Sequence, residues 1–378
     1  MHNTNKIMWL SIIYCLRMSL CKILDILYIW SIILNEENKK DEIMSIMMHL
    51  ALIPGADKLI NSNPELRDKI TKLVFSQKVD FKNIDGWSAT NFVVAGDPTT
   101  MVWVKNTVKE ISDFLPNNVK PGIVYSGGNN GKYKPAHWYQ IVRKLNILRK
   151  LETKFAEEIC RINGYELKPF VYGVESKIIH QEVAKHVPDS KFKYVELETK
   201  STNIHQGMEN AYKKDYLDLY NVKNLVIVAG KEHATRCIGT LRATLQSNGI
   251  NYKNYNIVAW PFTKELSVEQ SAKLRESMGI SYKLPEEENN PVIVDENNWY
   301  KSVLSLYNVT IEVNSLIKYA NKKHVLLTDE QQELADYISK HLTKKNLIAE
   351  TIKLDISKLK NKVVNLIIQK IKGDKQNG

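Results

Sequence analysis

The sequence of 378 residues predicts an α/β protein whose core is a doubly wound, mostly parallel sheet of about five strands, with helical extensions at both ends. Short apolar runs, typical of buried strands, alternate with longer segments in which apolar residues recur at helical spacing. The runs end in polar or glycine-containing turns, after which a helical pattern begins. Strand–helix–strand units of a parallel sheet produce this alternation.

The chain divides into four predicted regions. Residues 1–43 are an apolar segment and a polar linker, 44–90 a helical extension, 91–262 the α/β core, and 263–378 a C-terminal helical region. The candidate ligand-binding residues described below all fall in the third region.

The first region contains an apolar segment, Met8 to Leu34, which Arg17, Lys22 and Asp25 interrupt. A membrane span needs about 20 mostly uncharged residues, and a charge at its centre costs roughly 2.5 to 3.5 kcal/mol. The segment is an imperfect membrane anchor, a helix packed on the body, or untranslated sequence ahead of a start at Met44, Met47 or Met48. The last two interpretations are favoured, so we expect a cytoplasmic protein, with an inner-membrane-associated protein as the alternative.

The elements of the next two regions follow from local pattern. Asn63-Pro64-Glu65 is a helix start, in which an N-cap residue precedes a proline and an acidic residue. Five strands are predicted in the core, the last of them closed by Pro261: Phe92–Ala95, Gly122–Tyr125, Phe192–Leu197, Leu225–Val228 and Asn256–Trp260. Helices are predicted between them, including a long one over about 136–163.

The fourth region is predicted to be helical. Ser267 to Gln270 and Thr328 to Gln331 resemble capping boxes. Residues 299–319 are apolar at helical spacing, and an apolar stripe from Ile352 to Ile367 indicates a last helix.

Polar and glycine residues follow four of the predicted strands. Because the carboxyl ends of parallel strands meet at the edge where ligands bind, we expect these residues to lie together. A helix that begins near Lys231 would offer N–H groups to an anion, and glycines let the backbone approach a ligand. The residues are Gly96, Asp97, Ser126, Gly127, Gly128, Ser201, Asn203, His233 and Arg236.

Each candidate also has a purely structural interpretation. Arg236 would pair with a nearby carboxylate, and His233 would be a structural hydrogen bonder. Ser126 would belong to a simple turn, and Glu175 would be a first-turn acid that suits the helix dipole. Ser201 or Asn203 would be a helix N-cap.

The order of these segments resembles the YdcF/SanA/ElyC family of bacterial proteins, over about residues 91–321. The matching segments are Tyr125-Ser126-Gly127-Gly128, Glu175, Ser201-Thr202-Asn203 and His233-Ala234-Thr235-Arg236. The resemblance implies a Rossmann-like core and a small-molecule ligand, and S-adenosylmethionine is the cofactor that it suggests. His233 and Glu175 are the expected proton-transfer residues if the protein is an enzyme, which is left open.

The chain departs from the family pattern at several points. Ala229-Gly230 replaces a Thr-Ser pair. Asp97 stands in a turn that is glycine-rich in relatives, where it would repel phosphate unless a cation or sugar hydroxyl lies beside it. The family's acidic position falls on Gln206 without a gap or on Glu209 with a short insertion. Residues 129–170 are expected to be an insertion or a lid.

Composition and missing motifs narrow the function classes. The net charge is +11, but no block of basic residues with interleaved aromatics occurs, so nucleic acid binding is not expected. The four cysteines show no metal-ligand spacing, and we expect no metal. The sequence lacks a Gly-x-Gly-x-x-Gly after the first strand, a P-loop, His-Glu-x-x-His and Gly-x-Ser-x-Gly. Classical dehydrogenases, NTPases, zinc proteases and α/β-hydrolases are therefore disfavoured.

Two functions compete at this point. The first is a small-molecule-binding α/β protein with an anionic or nucleotide-like ligand. The second is a non-catalytic, membrane-associated factor in cell-envelope maintenance, anchored by Met8 to Leu34. The sequence does not determine the oligomeric state.

Overall fold

A computed structural model describes residues 46–77, 84, 86–128, 154, 156–169, 173–201, 203–278, 284, 290–343, 346–347, 349–351 and 353–354. The predictions for Met8 to Leu34, for most of 129–170, for Thr202 and for most of the last helix lie outside these residues. No helix in the described ranges has the length and apolar character needed to cross a membrane.

The core is a five-stranded sheet of order β3-β2-β1-β4-β5, in which all neighbouring strands run parallel. The strands are β1 (Thr90–Ala95), β2 (Gly122–Ser126), β3 (Tyr194–Glu198), β4 (Asn224–Gly230) and β5 (Asn256–Phe262). The predicted α/β fold class and its parallel sheet are confirmed, and the core is Rossmann-like. Because β1 lies in the middle, the chain winds outward to β3 and then resumes on the other side with β4.

Helices precede, separate and follow these strands. In chain order they are α1 (Ile46–Asn61), α2 (Pro64–Val74), α3 (Met101–Phe114), α4 (Glu175–Ala184), α5 (Ile204–Lys213), α6 (Lys231–Ser247), α7 (Val268–Met278), α8 (Val303–Asn321) and α9 (Asp329–His341). Residues 156–162 are also helical.

The two faces of the sheet bury different residues of the same strands. Phe92 and Val94 of β1 pack with α3 and α4, whereas Val93 and Ala95 pack with α5 and α6. Val226 and Val228 of β4 follow the same alternation. Side chains point to opposite faces at successive positions of a strand. Nearly continuous apolar runs are therefore what a sheet covered on both faces requires.

The helical extensions contact each other and the core. Helix α2 packs against α6 and α9, and α8 packs against α1 and α6. The predicted helix starts are confirmed: the Asn63 side chain accepts from Leu66 N at 3.0 Å, and Thr328 forms a reciprocal capping box with Gln331. Ser267 and Gln270 cap each other in the same way.

Several boundaries differ from the prediction. The C-terminal region contains a short antiparallel pair, β6 (Lys264–Leu266) and β7 (Val292–Val294), where only helix was predicted. Strand β5 continues through Pro261 to Phe262. A proline lacks the N–H that an inner strand would need, but β5 is an edge strand, where proline is tolerated. Strand β4 likewise includes Ala229 and Gly230.

The close contact of α6 with the segment after α8 yields a stability prediction. A Cβ added at Gly239 would lie 2.5 Å from Val325 Cγ1 and 3.1 Å from the carbonyl oxygen of Leu326. We expect Gly239→Ala to lower the free energy of unfolding by roughly 1 to 3 kcal/mol through overpacking. This sign is opposite to the gain of about 1 kcal/mol that alanine gives in an open helix interior.

Urea unfolding of the variant measures this effect. Gln246→Ala, at an exposed position near the end of the same helix, is the matched control and should change stability by less than about 0.5 kcal/mol. A stabilised Gly239→Ala protein would contradict the packing argument.

Candidate functional site

The candidate residues lie along the carboxyl edge of the sheet. The order of strands reverses between β1 and β4, and in open α/β sheets ligands bind in the crevice at such a switch point. Gly96 and Asp97 follow β1, and His233 and Arg236 lie in the first turns of α6, directly after β4. Ser126, Gly127 and Gly128 end or follow the neighbouring strand β2.

Arg236 and His233, both partly buried, form a cluster around the buried Glu312 of α8. Arg236 Nε lies 2.5 Å from Glu312 Oε1, and Arg236 Nη2 lies 3.1 Å from Glu312 Oε2. His233 Nδ1 lies 3.0 Å from Glu312 Oε2 and 2.9 Å from Arg236 Nη2. Arg236 was predicted to bind an anionic ligand, but its guanidinium makes a bidentate contact with the Glu312 carboxylate of the same chain. This is the outcome that the structural interpretation anticipated.

Burial and charge set the protonation states in this cluster. Burial by itself would raise the pKa of the Glu312 carboxyl, but Arg236 and His233 outweigh it and hold that pKa well below its usual range. Burial and the Arg236 charge lower the pKa of His233, while Cys237 and the Glu312 carboxylate raise it, and the balance lies at about 10. His233 Nδ1 lies within hydrogen-bond distance of both the Glu312 acceptor and the Arg236 donor, so the tautomer decides which contact it makes, and its role in proton transfer stays a prediction.

A second buried pair lies beside the first. Lys264 Nζ, at the start of β6, lies 2.7 Å from Glu232 Oε1, and the Glu232 side chain is 4% exposed. Burial lowers the pKa of Lys264, but the carboxylates of Glu232, Asp97 and Glu312 outweigh it and raise that pKa. Lys264 is thus the cation that the sequence analysis required beside Asp97 if a phosphate is to bind at this edge.

Glu232 has one unmet acceptor. Its Oε2 atom is buried and has no hydrogen-bond partner among the described residues. The oxygen lies against the backbone, since a Cβ added at Gly230 would come within 2.8 Å of it. Helix α6 starts here after Gly230, an N-cap residue without a side chain that could accept from the first N–H groups. The N–H donors at the start of α6 and the acceptor Glu232 Oε2 therefore lie together at the switch point.

The β2 side of the edge is closed by the protein's own contacts. A Cβ at Gly128 would lie 2.2 Å from the carbonyl oxygen of Ser201, and one at Gly207 of α5 would lie 2.3 Å from Ser126 Oγ. The backbone N–H of Glu175 donates to the Gly128 carbonyl at 3.3 Å. The structure brings Ser126, Gly128, Glu175 and Ser201 together. The close approach that the glycines permit is between backbone and side chains of the protein itself.

Glu198, at the end of β3, organises this side and was missed by sequence analysis. Its buried carboxylate accepts from the backbone N–H groups of Lys200 and Ser201 at 2.8 and 3.0 Å, from Ser201 Oγ, and from Asn210 Nδ2 at 3.0 Å. The local signal in the sequence was an acidic residue at the end of a strand. Such a residue can accept hydrogen bonds from the backbone N–H groups two and three positions later, here those of Lys200 and Ser201.

Two further candidates cap helices. Asn203 is the N-cap of α5 and accepts from Gln206 N at 3.0 Å, as its structural interpretation anticipated. Asp97 caps a short 3-10 turn, accepting from Thr99 N at 2.8 Å. Gln206 and Glu209 both lie on α5, and Glu209 pairs with Lys213 at 2.9 Å.

No local signal marked Glu312, because it lies 76 residues beyond Arg236 in the chain.

Other features do not add to the site. Within the ranges described, no three histidine, cysteine, aspartate or glutamate side chains are arranged to hold a metal ion. A depression of about 400 Å³ between α8 and α9 is lined by other residues, among them Lys318, Lys322 and Leu342. The switch point at the ends of β1 and β4, with Glu232, Lys264 and the start of α6, is therefore the candidate site.

Comparison of the sequence with known protein families and with curated proteins finds no match.

The buried cluster predicts the effect of removing its acid. Glu312→Gln leaves the Arg236 charge uncompensated, and we expect a loss of roughly 3 to 5 kcal/mol in the free energy of unfolding. Replacing both partners, as Arg236→Met with Glu312→Leu, should restore much of that loss because no buried charge remains unpaired. Chemical denaturation of the three proteins measures these changes.

The matched control is Glu269→Gln. Glu269 pairs with Lys273 at 2.6 Å, but its side chain is 76% exposed, so the change should stay below about 1 kcal/mol. Equal losses for the two glutamates would contradict the assignment of Glu312 as a buried charge partner.

The lowered pKa of Glu312 predicts a pH dependence. In the unfolded chain the carboxyl takes up a proton near pH 4.5, whereas in the folded protein it stays ionised to lower pH. Its stabilising contribution is complete above that pH and is lost as the pH falls toward the folded pKa. The Tm of the wild-type protein should therefore fall more steeply below pH 4.5 than the Tm of Glu312→Gln. Parallel curves would count against the shift.

Proposed function

We propose that the protein binds a small anionic or nucleotide-like molecule in the crevice between the ends of β1 and β4. The observation that carries this proposal is Glu232, a buried carboxylate with one oxygen that has no partner among the described residues, beside a helix N-terminus whose N-cap residue is Gly230. A catalytic reaction is not part of the proposal.

The start of α6 supports an anionic group on the ligand. The first N–H groups of a helix have no partner within the helix, and the positive end of its dipole attracts negative charge. A phosphate, carboxylate or sulfonate on the ligand is the chemical class that fits these donors. Arg236 is already neutralised by Glu312, so its part is to hold α8 against α6.

Glu232 supports a hydrogen-bond donor on the same ligand. A buried polar atom without a partner costs roughly 1 to 3 kcal/mol, and Lys264 satisfies only the other carboxylate oxygen. A hydroxyl or amino group on the ligand would remove that cost. Nucleotides, sugar nucleotides and S-adenosylmethionine, which the resemblance to the YdcF/SanA/ElyC family suggests, each combine an anionic group with hydroxyls.

Thermal unfolding of the full chain with a ligand panel tests the proposal. The panel contains S-adenosylmethionine, its demethylated product, nucleotides, sugar nucleotides and inorganic phosphate. A ligand at 100 times its Kd adds about 2.7 kcal/mol of stability. With an unfolding entropy of about 2.1 cal/mol/K per residue, this raises the Tm by roughly 3 °C.

Two matched variants locate the site. Glu232→Gln should reduce the ligand-induced shift, because the amide presents a donor where the ligand needs an acceptor. Glu265→Gln changes an exposed glutamate nearby and should leave the shift intact. A shift that survives Glu232→Gln undiminished would place the ligand elsewhere, and no shift with any member of the panel would reject this ligand class.

A further inference from the structure

Two histidines from distant parts of the chain stack face to face. His205 lies in the first turn of α5, and His324 lies in the turn after α8. Their ring centroids are 4.2 Å apart and their planes differ by 8°. The turn is fixed by Lys323, which has a left-handed φ of 59°, and by a hydrogen bond from His324 N to Tyr319 O at 2.9 Å.

The stack is weakened when both rings carry a proton. His205 Nδ1 is buried and has no partner among the residues that the structure describes. A proton added there would be an N–H donor without an acceptor, which is costly in a buried place. A proton on His324 would place a positive charge directly against the other ring, and two charged imidazoles at this distance repel each other.

The surrounding charges do not compensate for a proton on His205. Burial, His324 and Lys213 lower the pKa of His205, and Glu209 raises it, with a net lowering. Glu209 lies on α5 one turn after His205, but it is paired with Lys213 at 2.9 Å. A second proton therefore works against this contact.

We propose that the His205–His324 stack is an acid-released contact that ties α5 to the end of α8. The rings stay stacked while both are neutral and separate when the pH falls below the ordinary histidine range. The sign follows from linkage: a group whose folded pKa is depressed contributes stability that is lost as the pH falls through its unfolded value, near 6.5.

Release would loosen one side of the carboxyl edge. Helix α5 begins at the Asn203 cap, and its Gly207 packs against Ser126 at the end of β2. Helix α8 carries Glu312, the partner of Arg236. Opening of the stack therefore affects both elements that cover the edge, whether or not a ligand is bound.

Histidine titration by NMR tests the coupling in the full chain. In the wild-type protein, His205 should titrate below the usual histidine value of about 6.5. In His324→Phe, which keeps a stacking ring but cannot be protonated, the pKa of His205 should rise toward that value. A His205 pKa at or above the usual value, or one unchanged in His324→Phe, would overturn the proposal. If His324→Phe does not fold, His324→Gln gives the same comparison.

Hydrogen exchange tests the release itself. Between a pH of about 7.5 and about 5.5, either side of the histidine pKa, amides of α5 and of residues 319–326 should exchange several-fold faster after correction for intrinsic rates. Amides of β4 should not, and they serve as the internal reference. His205→Phe should abolish the acceleration, whereas the control His186→Phe, at an exposed position, should retain it. Acceleration of equal size in His205→Phe would overturn the proposal.

Discussion

The carboxyl edge of the sheet depends on the buried ion pair between Arg236 and Glu312. Arg236 belongs to the helix that leaves β4, and Glu312 belongs to a helix of the C-terminal extension, so the pair joins the core to its cover. A buried pair of this kind contributes little net stability when compared with apolar residues, but it is costly to break. It therefore holds α8 against α6 next to the switch point.

The two sides of this edge use their polar groups differently. On the β2–β3 side, Glu198 is satisfied by four donors, and glycines bring backbone segments into direct contact. This side is a closed, self-complementary structure. On the β1–β4 side, Glu232 has an oxygen that finds no partner in the described part of the chain, next to the start of α6, whose N-cap is Gly230. A polar network in which every group is hydrogen-bonded makes the structure rigid and unique. A buried acceptor without a partner is instead the group for which a hydrogen bond from a ligand is most favourable.

Local pattern predicted most of the fold for a physical reason. Strands buried on both faces must be apolar over several consecutive residues, and helix starts need particular capping side chains, so both leave a local signature. Asn63 and Thr328 cap helices as predicted. The pair β6–β7 escaped prediction because strands of three residues are too short to show a period. The end of β5 was misjudged because proline excludes an inner strand and not an edge strand.

The sequence by itself determined the parallel α/β core, the order of its elements and the edge at which the candidate residues gather, because these follow from short-range periodicity and from the geometry of strand–helix units. Only the tertiary structure decided what those residues do. Arg236 and His233 face Glu312, Lys264 faces Glu232, and His205 faces His324, each across a large separation in the chain. The charge state and availability of a side chain depend on the group that lies against it, and that neighbour is set by packing.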